Sequence, residues 1–524
     1  MTSTLTQLPP HLQRYVVAQN YDAYTPRDHA VWRHVLRRLT SHLRDKAHPS
    51  YLRGLEGAGI GLERIPSLEE MNEKLGRIGW SAVAVRGFVP PAVFTELQSL
   101  RVLAIAADIR THEHIAYTPA PDIIHESAGH APILLDPRYA DYVQRCGIVG
   151  FKAIASLEDQ AVYEAIRNLS VVKEDPGSTP RDIQDALDRL LAASGSRRFV
   201  SESTRASRLY WWTAEYGLVG DLAHPRIYGA GLLSSIGEAE HCLTRAVRKL
   251  PLSLDCVDTE YDITTMQPQL FVARDFDHLF EVLEAFESTL AWKLGGDYGL
   301  DEAKRSRMVN HLVLADGLEI SGRVVQRFSG ATWRQGMATV LAHLEGPLMV
   351  SRSGQALEPA WPGEAIVVFG LDMDPPRGPF ALDLPGGLHL SGFGAGGGEV
   401  VNLRGTLNRE TLDLPSWAKL FFSRNLPSVA GGPADPGTWA HWFGNLSTFG
   451  AGESEQRARQ RKAEALAPEL AALYSEIREC RESGCADTRR LENLGTRLAL
   501  HPAEWLLQEA WVELKNTSSG KESP

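Results

Sequence analysis

The sequence predicts a mainly α-helical domain with short strands, followed by a small β-rich domain and a C-terminal helical hairpin. Apolar residues recur at intervals of three and four in residues 21–75 and again after residue 454, which indicates amphipathic helices. Short strand-like runs separated by Gly- and Pro-rich turns fill residues 308–410. A chain of 524 residues is longer than one hydrophobic core usually supports, so two or three domains are expected.

The elements follow in chain order. A flexible arm is predicted for residues 1–20 and the mainly helical domain for residues 21–305, with a helix start at Thr25 to Asp28. Within that domain, a short strand or two is predicted from Ile78 to Val89 and a helix from Ala92 to about Ala107. The β-rich domain (308–410) is followed by a predicted linker (411–453) and by a charged hairpin (454–515).

Composition excludes several classes of protein. The net charge of −11 argues against a nucleic-acid partner, which would require a basic face. No run of eighteen apolar residues is present, so no membrane span is expected. The first residues lack the basic region and apolar core of a signal peptide. Five scattered cysteines fit a reducing compartment, and a cytoplasmic location is therefore predicted.

A candidate metal site lies in the segment 119–132. It carries His125 and His130 with Glu126 beside the first, and neutral imidazole is a common metal ligand. Five-residue spacing places the rings about 140° apart on an ideal helix, whereas the four-residue spacing of zinc proteases places them about 40° apart. The rings converge only if the helix deforms or ends, which Gly129 would permit, and Pro132 is predicted to end the helix just beyond His130.

A third ligand is needed, and Glu215 is the best candidate. It stands alone in the aromatic, apolar run 209–218, where a buried carboxylate requires a partner. Two histidines and one carboxylate with open positions describe the facial triad of non-haem iron(II) oxygenases. The alternative is two ordinary histidines and a surface glutamate.

Four blocks carry a resemblance to a known family. Residues 121–132 read P-D-x-x-H-E-x-x-G-H-x-P, residues 210–218 read Y-W-W-T-x-E-Y-G-L, residues 227–238 read I-Y-G-A-G-L-L-S-S-I-G-E, and residues 79–110 match without a gap. In this order they resemble the pterin-dependent aromatic amino acid hydroxylases, over most of residues 20–300. The resemblance implies that family's catalytic fold, with Fe(II) and a tetrahydropterin as cofactors and O2 and an aromatic amino acid as substrates.

The resemblance also implies roles for single residues. It places Fe(II) on His125, His130 and Glu215, with Tyr210 near the metal without binding it. The resemblance also implies four residues that contact the pterin. Phe94 would stack on the pterin ring, and Gly87, Val89 and Glu126 would lie beside it.

On the substrate side, the resemblance places Arg110 and Thr118 on the amino-acid carboxylate and Trp211 against the substrate ring. A guanidinium suits a carboxylate because it can donate two parallel hydrogen bonds. Ser234 would lie near that carboxylate and the first histidine, where a hydroxyl can orient a metal-bound imidazole. Ile263 together with Trp211 favours phenylalanine, hydroxylated to tyrosine, over tyrosine or tryptophan as the substrate.

Other readings stay open. A zinc hydrolase could use the same three ligands with Glu126 as the base, and an inactive homologue could bind partners through its tail.

Residues 156–203 look like an insertion that either covers the active-site mouth or forms a surface excursion. The glycine run 394–398 lacks the residues of a phosphate loop, and Cys480 and Cys485 are interpreted as unpaired thiols. Self-association is possible through an apolar stripe in the hairpin, formed by Ala463, Leu466, Leu470, Leu473 and Ile477.

Overall fold

The computed structural model describes residues 8–85, 89–112, 115, 122–175, 177–263, 265–333, 337–442, 467–484 and 487–518. Its first three hundred residues form the predicted mainly helical domain. The helices of this part are α1 (Pro10–Gln13), α2 (Pro26–Leu43), α3 (Ser50–Gly57), α4 (Leu68–Leu75), α5 (Pro91–Ser99), α6 (Ala131–Ile133), α7 (Pro137–Lys152), α8 (Leu157–Glu174), α9 (Pro180–Gly195), α10 (Glu202–Tyr210), α11 (Ala230–Ser234), α12 (Ile236–His241), α13 (Phe276–Glu287), α14 (Ala291–Leu294) and α15 (Gly296–Ser306). Two π-helical segments, His125–His130 and Trp211–Glu215, interrupt this set.

Helix α2 runs through the centre of the core. Thr25 and Asp28 form a capping box at its start, as the sequence predicts, and Pro26 occupies the first turn, where a missing N–H costs nothing. Its apolar face, which includes Trp32 and Leu36, is completely buried. The helix also provides a packing surface for helices near the C-terminal end of the chain.

Two small sheets accompany these helices. Strands β1 (Ser81–Val85) and β2 (Val102–Ala106) pair in parallel. A second sheet has the order β4-β3-β6-β5, from β3 (Leu218–Gly220), β4 (Pro225–Ile227), β5 (Arg248–Pro251) and β6 (Gln269–Ala273). The predicted helix from Ala92 to Ala107 is wrong beyond Ser99. Its second half is β2, because Arg101 turns the chain with a positive φ of 59° and the run V-L-A-I-A then pairs with β1.

The predicted flexible arm is also wrong for residues 8–20. Leu8 and Leu12 are buried, and Val16 forms a bridge with Val85 of β1. The segment looks polar in sequence, but its few apolar side chains pack against β1, α5 and β2. The local sequence does not reveal this contact.

The segment predicted as an insertion forms a helical hairpin of α8 and α9. Ser156 and Thr179 provide capping boxes at the two helix starts. The two helices pack against each other, and side chains of both also line the large cavity described below. The hairpin therefore contributes to the cavity wall, and whether it covers the active-site mouth stays a prediction.

The region after residue 308 is rich in strands, as predicted, but the strands extend beyond residue 410. Within the described residues, an 11-stranded sheet has the order β12-β13-β14-β16-β11-β9-β8-β7-β17, with β10 added beside β9 and β15 beside β14. Its strands are β7 (Asn310–Val313), β8 (Leu318–Trp333), β9 (Met337–Arg352), β10 (Gln355–Ala356), β11 (Glu364–Phe369), β12 (Gly378–Leu384), β13 (Leu388–Gly396), β14 (Glu399–Leu407), β15 (Glu410–Thr411), β16 (Trp417–Ser423) and β17 (Ser428–Gly431). The predicted linker 411–453 is therefore wrong up to residue 431, because two core strands lie inside it. Helix α16 (Pro436–Trp442) follows directly.

Residues 467–484 and 487–518, the described part of the C-terminal region, contain three helices where a hairpin was predicted. They are α17 (Pro468–Glu482), α18 (Thr488–Leu498) and α19 (Trp505–Ser518). Leu473 and Ile477 are buried in the same hydrophobic cluster as Trp32 of α2. The described part of the predicted stripe is thus covered by its own chain, while Ala463, Leu466 and Cys485 lie outside the described residues. Among the described helices, each is too short or too polar to span a membrane.

The shared core predicts that the last helices stabilise the first domain. Leu494→Ala removes a completely buried side chain, and we expect the free energy of unfolding to fall by about 2–4 kcal/mol. Leu500→Ala is the matched control, because Leu500 is 73% exposed and should change the stability by less than about 0.5 kcal/mol. Urea denaturation followed by tryptophan fluorescence measures both, and equal stability of the two variants would contradict the shared core.

Candidate metal centre and active-site cavity

Two histidines and one carboxylate converge at the centre of the first domain. Nε2 of His130 lies 3.0 Å from one carboxylate oxygen of Glu215, and Nε2 of His125 lies 3.2 Å from the other. One candidate ligand atom from each residue lies within 4.8 Å of those of the other two, so the three could hold one metal ion. The structure therefore brings together the three residues that the sequence singled out as ligands.

The convergence depends on π-helical geometry. Residues 125–130 form a π-helix, in which hydrogen bonds join residues five apart. The five-residue spacing of the histidines corresponds to that repeat, and their ring centroids lie 5.1 Å apart. The predicted helix end near His130 is wrong, since the helix continues as α6 and accommodates Pro132 in its first turn.

Gly129 has a second reason to be glycine. A Cβ at this position would lie 2.6 Å from the carbonyl oxygen of Ala230 at the start of α11. The close approach brings α11 and its last residue, Ser234, against the histidine segment. A residue expected to permit a deformation thus also permits contact between two helices.

The Ser234 hydroxyl orients the first histidine. Its Oγ donates to the Ala230 carbonyl at 2.7 Å and lies 3.0 Å from Nδ1 of His125. Because a hydroxyl has one hydrogen, Oγ accepts from the imidazole, and Nδ1 carries the proton. Nε2 of His125 is then left with its lone pair for a metal.

Asp122 and Arg110 form a buried ion pair beside the histidines. The Asp122 carboxylate accepts two hydrogen bonds from the Arg110 side chain, each at 2.8 Å, and one from the backbone N–H of His125 at 3.0 Å. Arg110 also donates from Nη1 to the Ser234 carbonyl at 3.2 Å. Burial acts to raise the pKa of Asp122, but the guanidinium charge and these hydrogen bonds hold it below its ordinary value. The guanidinium predicted to meet the substrate is therefore held rigidly.

The two glutamates of the site differ in protonation. Burial opposes the ionisation of Glu215, but the charges and hydrogen bonds of His130 and His125 hold its pKa well below the usual range. Burial raises the pKa of Glu126 to about 8, and its Oε2 has no hydrogen-bond partner among the described atoms. An unsatisfied buried carboxyl oxygen at a cavity wall is suited to a ligand that donates hydrogen bonds.

An aromatic wall adjoins the metal ligands. Tyr210 stacks on the His130 ring, and Phe94 meets the Tyr210 ring edge-on at 5.8 Å between centroids. Gln98 donates to the Tyr210 hydroxyl at 2.5 Å. Burial raises the pKa of Tyr210 well above its ordinary value, so the phenol stays protonated.

Trp211 lies in a stack of three rings. Its indole is parallel to Tyr261 at 4.2 Å and to Tyr216 at 4.5 Å, measured between centroids. The half-buried Ile263 lines the same cavity as Trp211. No role was predicted from the sequence for Tyr216, Tyr261, Asp122 or Gln98. Tyr216, Asp122 and Gln98 lie inside the matched motifs, which is a signal that could have identified them, whereas Tyr261 lies outside the four motifs.

A single cavity of about 1450 Å³ joins these residues. Its lining includes His125, Glu126, Glu215, Arg110, Ser234, Phe94, Val89, Tyr210, Trp211 and Ile263. His130 is more deeply buried behind them. Gly87 and Thr118, which the sequence also singled out, lie outside the described residues.

Comparisons with known proteins agree with this site. The family model described as biopterin-dependent aromatic amino acid hydroxylase matches residues 16–164 and 191–304, together about half of the chain. Two similar proteins are the phenylalanine-4-hydroxylases of Mesorhizobium japonicum and Chromobacterium violaceum. The first is 31% identical over 283 residues, which cover 53% of this chain and 86% of the relative. The second is 31% identical over 270 residues, which cover 51% of this chain and 76% of the relative.

Among solved structures, the phenylalanine hydroxylase of Chromobacterium violaceum with bound iron(III) and 7,8-dihydrobiopterin is 30% identical. The match covers 52% of this chain and 85% of that chain, with a TM-score of 0.42. On the strength of the family model and the sequence relatives, this chain belongs to the biopterin-dependent aromatic amino acid hydroxylases. The matched residues stop at 304 and omit 165–190, so the sheet domain, the last helices and most of the inserted hairpin lie outside the match.

The geometry predicts which histidine substitutions abolish metal binding. His130→Ala removes one of three ligand groups, and we expect bound iron to fall from about one per chain to less than about 0.1 after desalting. His224→Ala, in the exposed turn before β4, should retain the iron of the unmodified chain. Iron analysis by inductively coupled plasma mass spectrometry measures both, and full iron in the His130 variant would refute the assignment.

Proposed function

We propose that the protein is a monooxygenase that hydroxylates the ring of L-phenylalanine to L-tyrosine with O2, Fe(II) and a tetrahydropterin. The observation that carries the proposal is the shared cavity, in which the three candidate ligands meet a wall of aromatic and apolar side chains. Family membership and the names of the relatives support the same reaction.

The residues present fit the two groups that the reaction requires. Two imidazoles and one carboxylate form the donor set preferred by non-haem Fe(II), and His125, His130 and Glu215 would hold it. Phe94, Val89 and Glu126, with Gly87, would hold the pterin, and the unpartnered Oε2 of Glu126 supports this assignment. When bound, the iron and the pterin supply the electrons and the oxygen activation that side chains cannot provide.

The chain's own residues bind and orient the amino acid. Arg110, together with Thr118, would hold the substrate carboxylate, and the Asp122 contact keeps the guanidinium fixed. Ser234 would complete this end of the site. Trp211, held in place by its stacking with Tyr216 and Tyr261, would lie against the substrate ring. An apolar wall also keeps water away from the reacting ring.

Two positions favour phenylalanine within the family. Ile263 offers no polar group to the hydroxyl of a tyrosine substrate. Trp211 leaves less room for the indole of a tryptophan substrate than a phenylalanine side chain at position 211 would. The names of the relatives favour hydroxylation over a zinc hydrolase. The four cysteines of the described residues are buried, which suits a reducing compartment, and we propose that the reaction takes place in the cytoplasm.

Product analysis tests the proposal. The purified protein is incubated with Fe(II), a tetrahydropterin, O2 and each of phenylalanine, tyrosine and tryptophan, and products are identified by chromatography and mass. We expect tyrosine from phenylalanine, coupled to pterin oxidation, and none from the His130→Ala variant. A hydroxylated tryptophan as the main product would refute the specificity argument, and no hydroxylated product from any of the three would refute the proposal.

A substitution at the specificity position tests the argument from Ile263. Ile263→Asp places a carboxylate on the half-buried cavity wall, and desolvation of that charge should disfavour an apolar ring. We expect kcat/KM for phenylalanine to fall about tenfold or more, with Ile263→Leu within about threefold of the unmodified chain. Steady-state kinetics measures both, and an unchanged kcat/KM in the Asp variant would contradict this role of Ile263.

A further inference from the structure

Several side chains from outside the family match line the same cavity as the candidate metal ligands. The family match covers residues 16–164 and 191–304. Besides the inserted hairpin, residues near the two ends of the chain contribute to this lining, among them His11, Arg14, Tyr15, Pro436, Trp439 and Ala440. The first three precede the match, and the last three follow the sheet domain by way of α16.

The N-terminal residues lie on the side of the cavity that carries Phe94. Leu8 and Leu12 pack in one small apolar cluster with Leu97 of α5 and with strands β1 and β2. Tyr15 and Phe94 both pack against that cluster, as does Val89. The segment 8–16 therefore supports the wall proposed for the pterin and not the wall that holds Trp211.

A side-chain hydrogen bond joins this segment to helix α5. Nε2 of His11 lies 2.8 and 2.9 Å from the two carboxylate oxygens of Glu96, two residues after Phe94. The side chains are only 11% and 13% exposed, so water screens the pair weakly. The pair holds α5 against α1.

Helix α16 completes the arrangement from the other end of the chain. It packs against α1, and a Cβ on Gly437 would lie 3.3 Å from Nδ1 of His11. Asp435 accepts hydrogen bonds from Thr438 at the start of α16 and from the backbone N–H of Ala356 in the sheet domain. The sheet domain thus presents α16 to the cavity in a defined position.

We propose that the pterin wall of this enzyme is completed by the two ends of the chain, with His11 as a positioning residue and Trp439 as a pterin-contacting residue. His11 acts through Glu96 on α5 and so on Phe94, while Trp439 closes the cavity edge beside them. The ligand is the tetrahydropterin, so the inference rests on the proposed function. It also gives the sheet domain a role in the active site.

Pterin affinity in the full-length, iron-loaded protein tests the inference. Isothermal titration calorimetry with 7,8-dihydrobiopterin gives the Kd without any turnover. We expect His11→Ala, Glu96→Ala and Trp439→Ala each to raise this Kd about threefold to tenfold, the effect of losing one hydrogen-bonded or packed contact. His11→Gln retains an N–H donor and should stay within about twofold. The double variant of His11 and Glu96 should be no worse than either single variant, because the two act as one pair.

The His34–Glu509 ion pair provides a matched control. It also joins a histidine to a glutamate, but between α2 and α19, and neither residue lines the cavity. His34→Ala should lower the thermal stability without changing the Kd for 7,8-dihydrobiopterin. If His34→Ala raises the Kd as much as His11→Ala does, or if the three cavity variants leave the Kd within twofold, the inference is wrong.

Two further results separate the inference from the proposed function. If the unmodified chain binds 7,8-dihydrobiopterin with the expected variant pattern but forms no tyrosine, the inference stands and the proposed reaction fails. If it forms tyrosine but His11→Ala and Trp439→Ala change the KM for phenylalanine and not that for the pterin, the inference fails alone. Absence of any dihydrobiopterin binding by the unmodified chain would overturn the inference as well.

Discussion

The candidate active site depends on the buried carboxylate of Asp122. This carboxylate accepts hydrogen bonds from the Arg110 guanidinium and from the backbone N–H of His125. It therefore connects the substrate side of the cavity to the start of the π-helical segment. Leaving either charge unpaired in the core would cost several kcal/mol. The pair therefore holds Arg110 in one orientation, and Arg110 in turn holds the Ser234 carbonyl behind the first histidine.

Both segments that carry the candidate metal ligands are π-helical, and each is inserted at a helix end. The first continues into α6, and the second continues α10. Such segments leave the regular i→i−4 hydrogen-bond pattern and are common at functional sites. The close approach of α11 at Gly129 fixes one of them against the rest of the core. Neighbouring helices thus hold in place a backbone that would be less favourable alone.

The regions beyond residue 304 are built into the first domain. Helices α17 to α19 share the hydrophobic cluster of α2, and strand β17 approaches α7 so closely that a Cβ on Gly431 would lie 2.2 Å from the Ala153 carbonyl oxygen. A sheet domain seated this firmly can present α16 at the cavity. Residues from both ends of the chain then belong to one site.

The sequence by itself predicted the candidate metal ligands, which the structure brings together, and the main helical elements, because ligand type, spacing and helix caps are local properties. His125, His130 and Glu215 were predicted from their residue types and surroundings, and α2 from its capping box. Tertiary packing alone decided that the V-L-A-I-A run after Ser99 is a strand, that Leu473 and Ile477 face α2, and that His11 and Trp439 share one cavity. Those contacts join residues tens to hundreds of positions apart, and their free energy comes from surfaces that exist only after folding, so no local pattern records them.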